Sequence, residues 1–395
     1  MLRRLLDPSH PEEVRRQVPR LTVARLMGNA SYRYAVPFLA VIGRGLGVPL
    51  HTMGAAAGAG DFTGLVAPLV GRRIDRASRQ QMMWLGSAVI AAAGVLAAAA
   101  TGAAVLAAAF VTLSIGKLFY DFAMGAWLAD RVDYRLRAEV VGVTELAWAG
   151  SMLVVVPVLG VVTALTSWRY AYGCLAVMNA AACLAIWHGL EKDPKPHPTD
   201  RRGHLQLDGN SIRAFIAFGF HMTAANCMFV VFGAWLTDAF GFSTVAIGAT
   251  AIVLGLAELT ATAVTIRFTD RIGKRRSLLA GSGLMVPTAM VLGTTGHTAV
   301  AGVALITIFI LGFEFGIVSA IPLISALQPT AAGSALGLAA GFGTIGRGVA
   351  AIVSTRLYER HGVGGSSLLA AACSSVALVL LWLGVREPEH AAHAT

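Results

Sequence analysis

Runs of about 20 or more mostly apolar residues recur along almost the whole chain, each long enough to cross a lipid bilayer as a helix. Twelve can be drawn, at roughly 21–44, 47–70, 80–101, 103–127, 139–165, 170–190, 212–236, 242–266, 277–296, 298–327, 333–355 and 365–385. One buried core cannot absorb so many. Of the 395 residues, 56% are hydrophobic and 13% charged, against about 25% charged in a soluble protein. The solvent for most side chains is therefore lipid. The expected fold is an all-α integral membrane protein with twelve transmembrane helices, and an even number of crossings puts both termini on one side.

A formal net charge of +10 fits either a nucleic-acid partner or the Lys/Arg bias of cytoplasmic membrane loops. Placement separates the two. Of the 31 Lys and Arg residues, 24 fall on the side of the N-terminus, with Arg25, near the start of the first span, counted there. The opposite side carries only Arg44, Arg169, Arg356 and Arg360, and Arg33, Lys117 and Arg347 fall inside spans. The bias predicts a multi-pass protein of the cell membrane with both termini cytoplasmic, and it removes the nucleic-acid reading. Cys174, Cys183, Cys227 and Cys373 all lie in apolar runs without metal-ligand spacing and read as small buried hydrophobes. The first apolar run, from Leu21, is too long for a signal peptide and reads as a membrane span.

Two short basic connections stand out between apolar runs: Gly71-Arg72-Arg73-Ile74-Asp75-Arg76-Ala77-Ser78-Arg79 and Asp270-Arg271-Ile272-Gly273-Lys274-Arg275-Arg276. Leu46-Gly47-Val48 with Gly54 is matched about 194 residues later by Phe240-Gly241-Phe242 with Gly248. The halves read as two six-helix pseudo-repeats. The expected boundaries are an N-terminal bundle over 1–190, a Pro- and charge-rich cytoplasmic linker over 191–211, and a C-terminal bundle over 212–395.

The two connections resemble the G-x-x-x-D-R-x-G-[RK]-[RK] loop of the major facilitator superfamily. The first keeps Gly71, Asp75, Arg76 and Arg79, with Ser78 at the second Gly; the second keeps Asp270, Arg271, Gly273, Lys274 and Arg275, with Ile266 at the leading Gly. The resemblance covers nearly the whole chain and implies a gating role for these loops. In that role Asp75 faces the start of the eleventh helix near Ala332–Gly333, and Arg79 pairs with Asp130. It also implies a central cavity lined by the first, fourth, seventh and tenth helices. Gly150, Pro157 and Gly160 partly resemble the glycine-proline motif of the drug:proton antiporter branch, with Val156 where that motif has Gly. In the fourth helix Lys117 stands where many proton-coupled exporters carry Arg, which keeps the charge but not the planar fork.

An ionisable group deep in a span costs at least ~2.5–3.5 kcal/mol and reads as functional by default. Arg33, Asp61, Lys117, Asp121, Glu145, Glu258, Glu314 and Arg347 qualify, with His221 as a ninth candidate. Asn29 shares a helix face with Arg33. The resemblance places Arg33, Lys117, Asp121, His221 and Glu314 around one cavity. The alternative reading is internal pairing that only pins helices, strongest for Lys117 and Asp121 at i,i+4 spacing. Gly54/Gly58 and Gly60/Gly64 read as packing faces. Gly341 to Gly346 matches G-x-G-x-x-G but lies within an apolar helical run, and no strand precedes it, so it too reads as packing.

No Walker motif, paired zinc ligands or nucleophile elbow occurs. The expected protein is not an enzyme and needs no cofactor or metal. It is a secondary active transporter, working as a monomer in the lipid bilayer, that exports a small organic or drug-like molecule against protons by alternating access. Tyr32, Tyr34, Phe119, Tyr120, Trp148 and Phe313 suit an amphipathic small-molecule substrate. Proton-coupled uptake of an organic acid or sugar is the first alternative and a non-transporting receptor the second. For the coupling proton, Glu314 is the first choice: it is flanked by Phe313 and Phe315, with no basic residue within a helical turn. Glu145 is the second, and Asp121, beside Lys117, the poorest.

Overall fold

The computed structural model describes residues 10–132, 137–190, 207–295, 298–329 and 331–387, and it has no strand among them. Most of the expected linker, 191–206, lies outside the described residues, as do the side chains of Asp75 and Asp270.

The helices in chain order are α1 (Glu12–Leu46), α2 (Leu50–Asp61), α3 (Ala67–Asp75), α4 (Arg79–Ala98), α5 (Ala103–Arg131), α6 (Arg137–Gly150), α7 (Val156–Leu165), α8 (Trp168–Gly189), α9 (Gly209–Phe229), α10 (Phe232–Phe240), α11 (Thr244–Ile272), α12 (Lys274–Thr295), α13 (Ala299–Leu327) and α14 (Ala332–Gly384). A 3₁₀ segment, Phe62–Val66, joins α2 to α3, and a π segment, Ser151–Val155, joins α6 to α7 ahead of Pro157. Each joined pair therefore runs as one span. Ten helical stretches are long and apolar enough to cross a membrane. One of them, α14, is two helices meeting at Gly362, whose φ of 62° and ψ of −160° suit glycine alone. With the 35-residue α1, which carries more charges than the others, the described chain accommodates the twelve expected passages.

Helix ends follow local chemistry. Ser78, Asp208, Ser243 and Thr298 each accept a hydrogen bond from the backbone N–H three residues on, capping α4, α9, α11 and α13. The first basic connection is a short turn after Asp75. The second is shorter still, with Gly273 at φ 96° turning α11 directly into α12.

The chain forms two compact units. The first comprises 1–35 and 66–198. Its core gathers Val14, Val18, Leu21, Met83, Trp127 and Ile186. Here α4 and α5 cross at glycines: a Cβ on Gly86 would stand 2.7 Å from the Gly116 carbonyl oxygen. The second comprises 36–65 and 199–395, with one core around Phe232, Trp235, Met285 and Phe309 and another around Phe215, Leu278 and Leu323. Its α12 and α13 cross in the same manner at Gly281 and Gly312, about 195 residues further on, where a Cβ on Gly281 would meet the Gly312 carbonyl at 2.5 Å. Gly343 and Gly346 sit inside α14 against Phe218, Gly219 and Thr223 of α9, so these two glycines of the G-x-G-x-x-G string pack helix on helix, while Gly341 has open space around it.

Candidate functional site

In the first unit α1 presents Arg25, Asn29 and Arg33 four residues apart, one above the other on a single face. Opposite stand Lys117 and Asp121 of α5 and Thr144, Glu145 and Trp148 of α6. Arg25 joins two carboxylates: Nη1 lies 2.7 Å from Glu145 Oε1 and Nε lies 3.4 Å from Asp121 Oδ1. The other oxygen of Asp121 takes Lys117 Nζ at 2.6 Å, and the same ammonium donates to Asn29 Oδ1 at 2.7 Å. Arg33 donates to the Trp148 carbonyl at 3.0 Å, with its guanidinium carbon 4.3 Å from the centre of the indole. Lys117 Nζ lies 5.9 Å from the same ring centre. The result is a continuous polar string, Glu145–Arg25–Asp121–Lys117–Asn29, beside an aromatic face in an otherwise apolar bundle.

The string is graded in exposure. Arg25 and Lys117 side chains are each 15% exposed, Asp121 is 27% and Glu145 is 50%. Asp121 is held by two cations. Glu145 pairs with Arg25 and stands at the open end. Buried Asn29 keeps its Oδ1 on Lys117, while its Nδ2 donor lacks a hydrogen-bond partner.

Arg25 enters this string although its basic character and position suggested a loop. Since α1 begins at Glu12, Arg25 is well inside the helix. The i, i+4, i+8 spacing of Arg25, Asn29 and Arg33 is the signal that could have found it.

In the second unit Arg347 Nε lies 3.3 Å from Asp61 Oδ1, joining α14 to α2, and the Arg347 carbonyl accepts from Asn226 Nδ2 at 2.7 Å. His221 is fully buried. Its Nδ1 meets Ser282 Oγ and its Nε2 the Phe313 carbonyl, both at 3.0 Å, and its ring stacks on Phe313. It ties α9 to α12 and α13. Glu258 and Glu314 are both buried, on α11 and α13.

Three of the aromatic residues proposed as a substrate lining are core instead. Tyr34 is fully buried, bonds Thr163 Oγ1 at 2.6 Å and packs edge-on to Tyr172. Tyr120 donates to the Leu21 carbonyl at 2.6 Å, and Phe313 packs on His221 and Phe229. Trp148 keeps a partly open face beside the polar string.

Of the gating residues, Arg79 is buried and donates to Asp130 Oδ2 at 3.1 Å and to the Ile74 carbonyl, tying the first basic turn to the end of α5. Gly71 has open space around its α-carbon, Arg76 ends α3 and is exposed, and Arg271 lies in the last turn of α11. The Lys274 N–H donates to Glu387 at 3.2 Å.

A family model described as Major Facilitator Superfamily matches residues 21–351 and 214–395. No curated protein sequence matches the chain. Among solved structures, a D-xylose–proton symporter superposes with a TM-score of 0.76 at 17% identity, covering 95% of this chain and 99% of that one. The human organic anion transporter MFSD10 (TETRAN) gives 0.69 at 18%, covering 95% and 100%. A bacterial homolog of the human lysosomal transporter Spinster, inward-facing and unoccupied, gives 0.73 at 13%, covering 94% and 93%. At these identities the likeness is one of fold.

Proposed function

The chain belongs to the major facilitator superfamily, and on that premise we propose that it is a proton-coupled exporter of small organic or drug-like molecules, working as a monomer by alternating access. The superfamily and its structural neighbours make it a transporter rather than an enzyme. The observation that carries the finer reading is the string Glu145–Arg25–Asp121–Lys117–Asn29. An ionisable group inside a span costs at least ~2.5–3.5 kcal/mol and reads as functional by default, and this string gathers four of them, Glu145, Arg25, Asp121 and Lys117. In this reading its half-exposed end, Glu145, carries the coupling proton. Gain or loss of that proton redirects Arg25 towards or away from Asp121, and through Asp121 it reaches Lys117 beside Trp148. The partly open indole supplies a flat apolar surface for an amphipathic substrate. Both termini and the two basic turns lie on the cytoplasmic side of the cell membrane in this reading. There Asp75, Arg79 and Asp130 gate the first unit, and Asp270, Arg271, Gly273 and Lys274 the second.

One observation favours the alternative of proton-coupled uptake of an organic acid: within the first unit the string and its neighbour Arg33 carry three cations against two carboxylates. A single experiment separates the two. In proteoliposomes carrying a pH-sensitive dye, an aromatic amphipathic panel and a carboxylic-acid panel are offered in turn. Export by antiport predicts proton movement opposite to substrate, and uptake by symport predicts movement in the same direction. Substrate flux that moves no protons in either panel overturns both.

A further inference from the structure

In the second unit α2 begins at Leu50 after Pro49, which offers no side-chain cap. The free N–H of His51 is met instead by a carboxylate from another helix. Glu359 of α14 accepts it on Oε1 at 3.0 Å, while its Oε2 lies 2.6 Å from His51 Nδ1. Both side chains are open to solvent, 40% for His51 and 31% for Glu359. From there α2 and α14 run backbone to backbone. A Cβ on Gly54 would collide with Thr355 and the Ala351 carbonyl, one on Gly58 would stand 2.8 Å from the Gly348 carbonyl, and Asp61 follows with Arg347. His51–Glu359 stands at the solvent-exposed start of α2 in this line.

We propose that His51 and Glu359 form a proton-operated latch that holds the α2–α14 seam shut. Histidine changes charge between about pH 5 and 8. Neutral imidazole in the Nδ1–H tautomer keeps a hydrogen bond to the Glu359 carboxylate; protonated imidazole makes both partners charged, which strengthens it. The backbone bond from His51 is indifferent to pH, so protonation tightens a contact that already exists. Glu359 lines a cavity of about 500 Å³ together with Leu50, the residue before His51.

The other charged and titratable groups on that cavity are Arg44 of α1, Asp238 of α10 and Tyr358, whose hydroxyl donates to Asp238 at 2.8 Å. Asp238 is thus engaged by Tyr358, next to Glu359 on the same helix. Arg356, Arg360 and His361 are exposed on α14. A solvent-exposed pair of good geometry shifts an opening equilibrium by roughly two- to five-fold.

The inference assumes, with the proposed function, that this seam opens during a cycle, but its test needs no substrate. Hydrogen–deuterium exchange of the whole chain in lipid nanodiscs is compared at about pH 5 and about pH 8, corrected for intrinsic exchange and read over 50–61 and 344–361. The expected result is wild-type opening two- to five-fold rarer at the acid pH, no pH effect in His51→Gln, and acid-like protection at both pH values in His51→Arg. A wild-type ratio of one, or an acid effect that survives in His51→Gln, overturns the latch. If His51→Gln fails to fold, His51→Arg decides alone, since exchange in it that still varies with pH is the contrary outcome. Lack of flux in proteoliposomes would count against the transport reading and leave this result untouched.

Discussion

Arg347 Nε donates to Asp61 Oδ1 across 3.3 Å, beside the point where Gly58 rests on the Gly348 carbonyl. The ion pair and the glycine contact hold the same two helices together. A side chain at Gly58 cannot be placed without moving backbone, because the atom it meets is a carbonyl oxygen. Gly58→Leu is expected to leave a folded, monodisperse protein whose exchange over 50–61 rises and whose transport falls at least about ten-fold, the effect of a barrier raised by ~1.4 kcal/mol. Asp61→Asn loosens the same contact, so the double variant should fall short of additive. Both effects are read by exchange mass spectrometry alongside flux.

Asp121 and Glu145 share Arg25 but differ in what depends on them. Asp121→Asn leaves Arg25 and Lys117 facing a neutral amide at sites 15% exposed, and a loss of about 3 kcal/mol is expected, at the low end of the range for a broken buried pair. Glu145 is half exposed, so Glu145→Gln should cost less than about 1 kcal/mol while removing the proton site. Thermal unfolding in detergent paired with a substrate-binding assay checks the contrast; equal destabilisation of the two variants would contradict it.

Arg79 reaches both Asp130 and the Ile74 carbonyl from a buried position. Lysine keeps the charge but offers a single point in place of a fork. Arg79→Lys is expected to lose one of the two contacts, costing about 1–3 kcal/mol and speeding proteolysis at the turn over 76–78. Unchanged proteolysis would show that the turn does not depend on the fork.

Asp208 lies just ahead of the α9 span and caps that helix through the Ser211 N–H at 2.9 Å. Hydrogen bonds from Ser211 hold its carboxyl below the ordinary carboxylate range. Because the folded value is the lower one, the stabilisation is present above the unfolded value of about 3.9 and is lost as pH falls through the folded one. Asp208→Ala should therefore destabilise by about 0.5–1 kcal/mol at neutral pH and by progressively less below about pH 4. Melting curves of both proteins against pH test it.

The membrane fold was legible because lipid demands long apolar helices, and the chain supplies them in a count and spacing that leave few alternatives. Side-chain partnership was less so. The i,i+4 spacing of Lys117 and Asp121 announced their pair, and Arg79 with Asp130 came only through the family resemblance. Arg25 was counted as a loop charge because its neighbours Arg16 and Arg20 belong to the polar first turns of α1, where a window of apolar residues does not reach. Tyr34 and Tyr120 looked like cavity aromatics because a tyrosine in a span carries no sign of which face it occupies; their hydroxyls found Thr163 and the Leu21 carbonyl within the core. The His51–Glu359 contact spans 308 residues, and nothing local in either segment points to the other.

The proposal that protons drive this transporter through a carboxylate within the bundle meets its most direct test in gradient-driven flux. Proteoliposomes containing wild type, Glu145→Gln or Glu314→Gln are given an imposed pH gradient, with substrate binding measured on the same preparations. One of the two amides is expected to abolish the response to the gradient while leaving binding largely intact, with Glu145 favoured by its place at the open end of the Arg25–Asp121–Lys117 string. If both variants concentrate substrate at the wild-type rate, neither carboxylate carries the coupling proton and the account of the string is wrong.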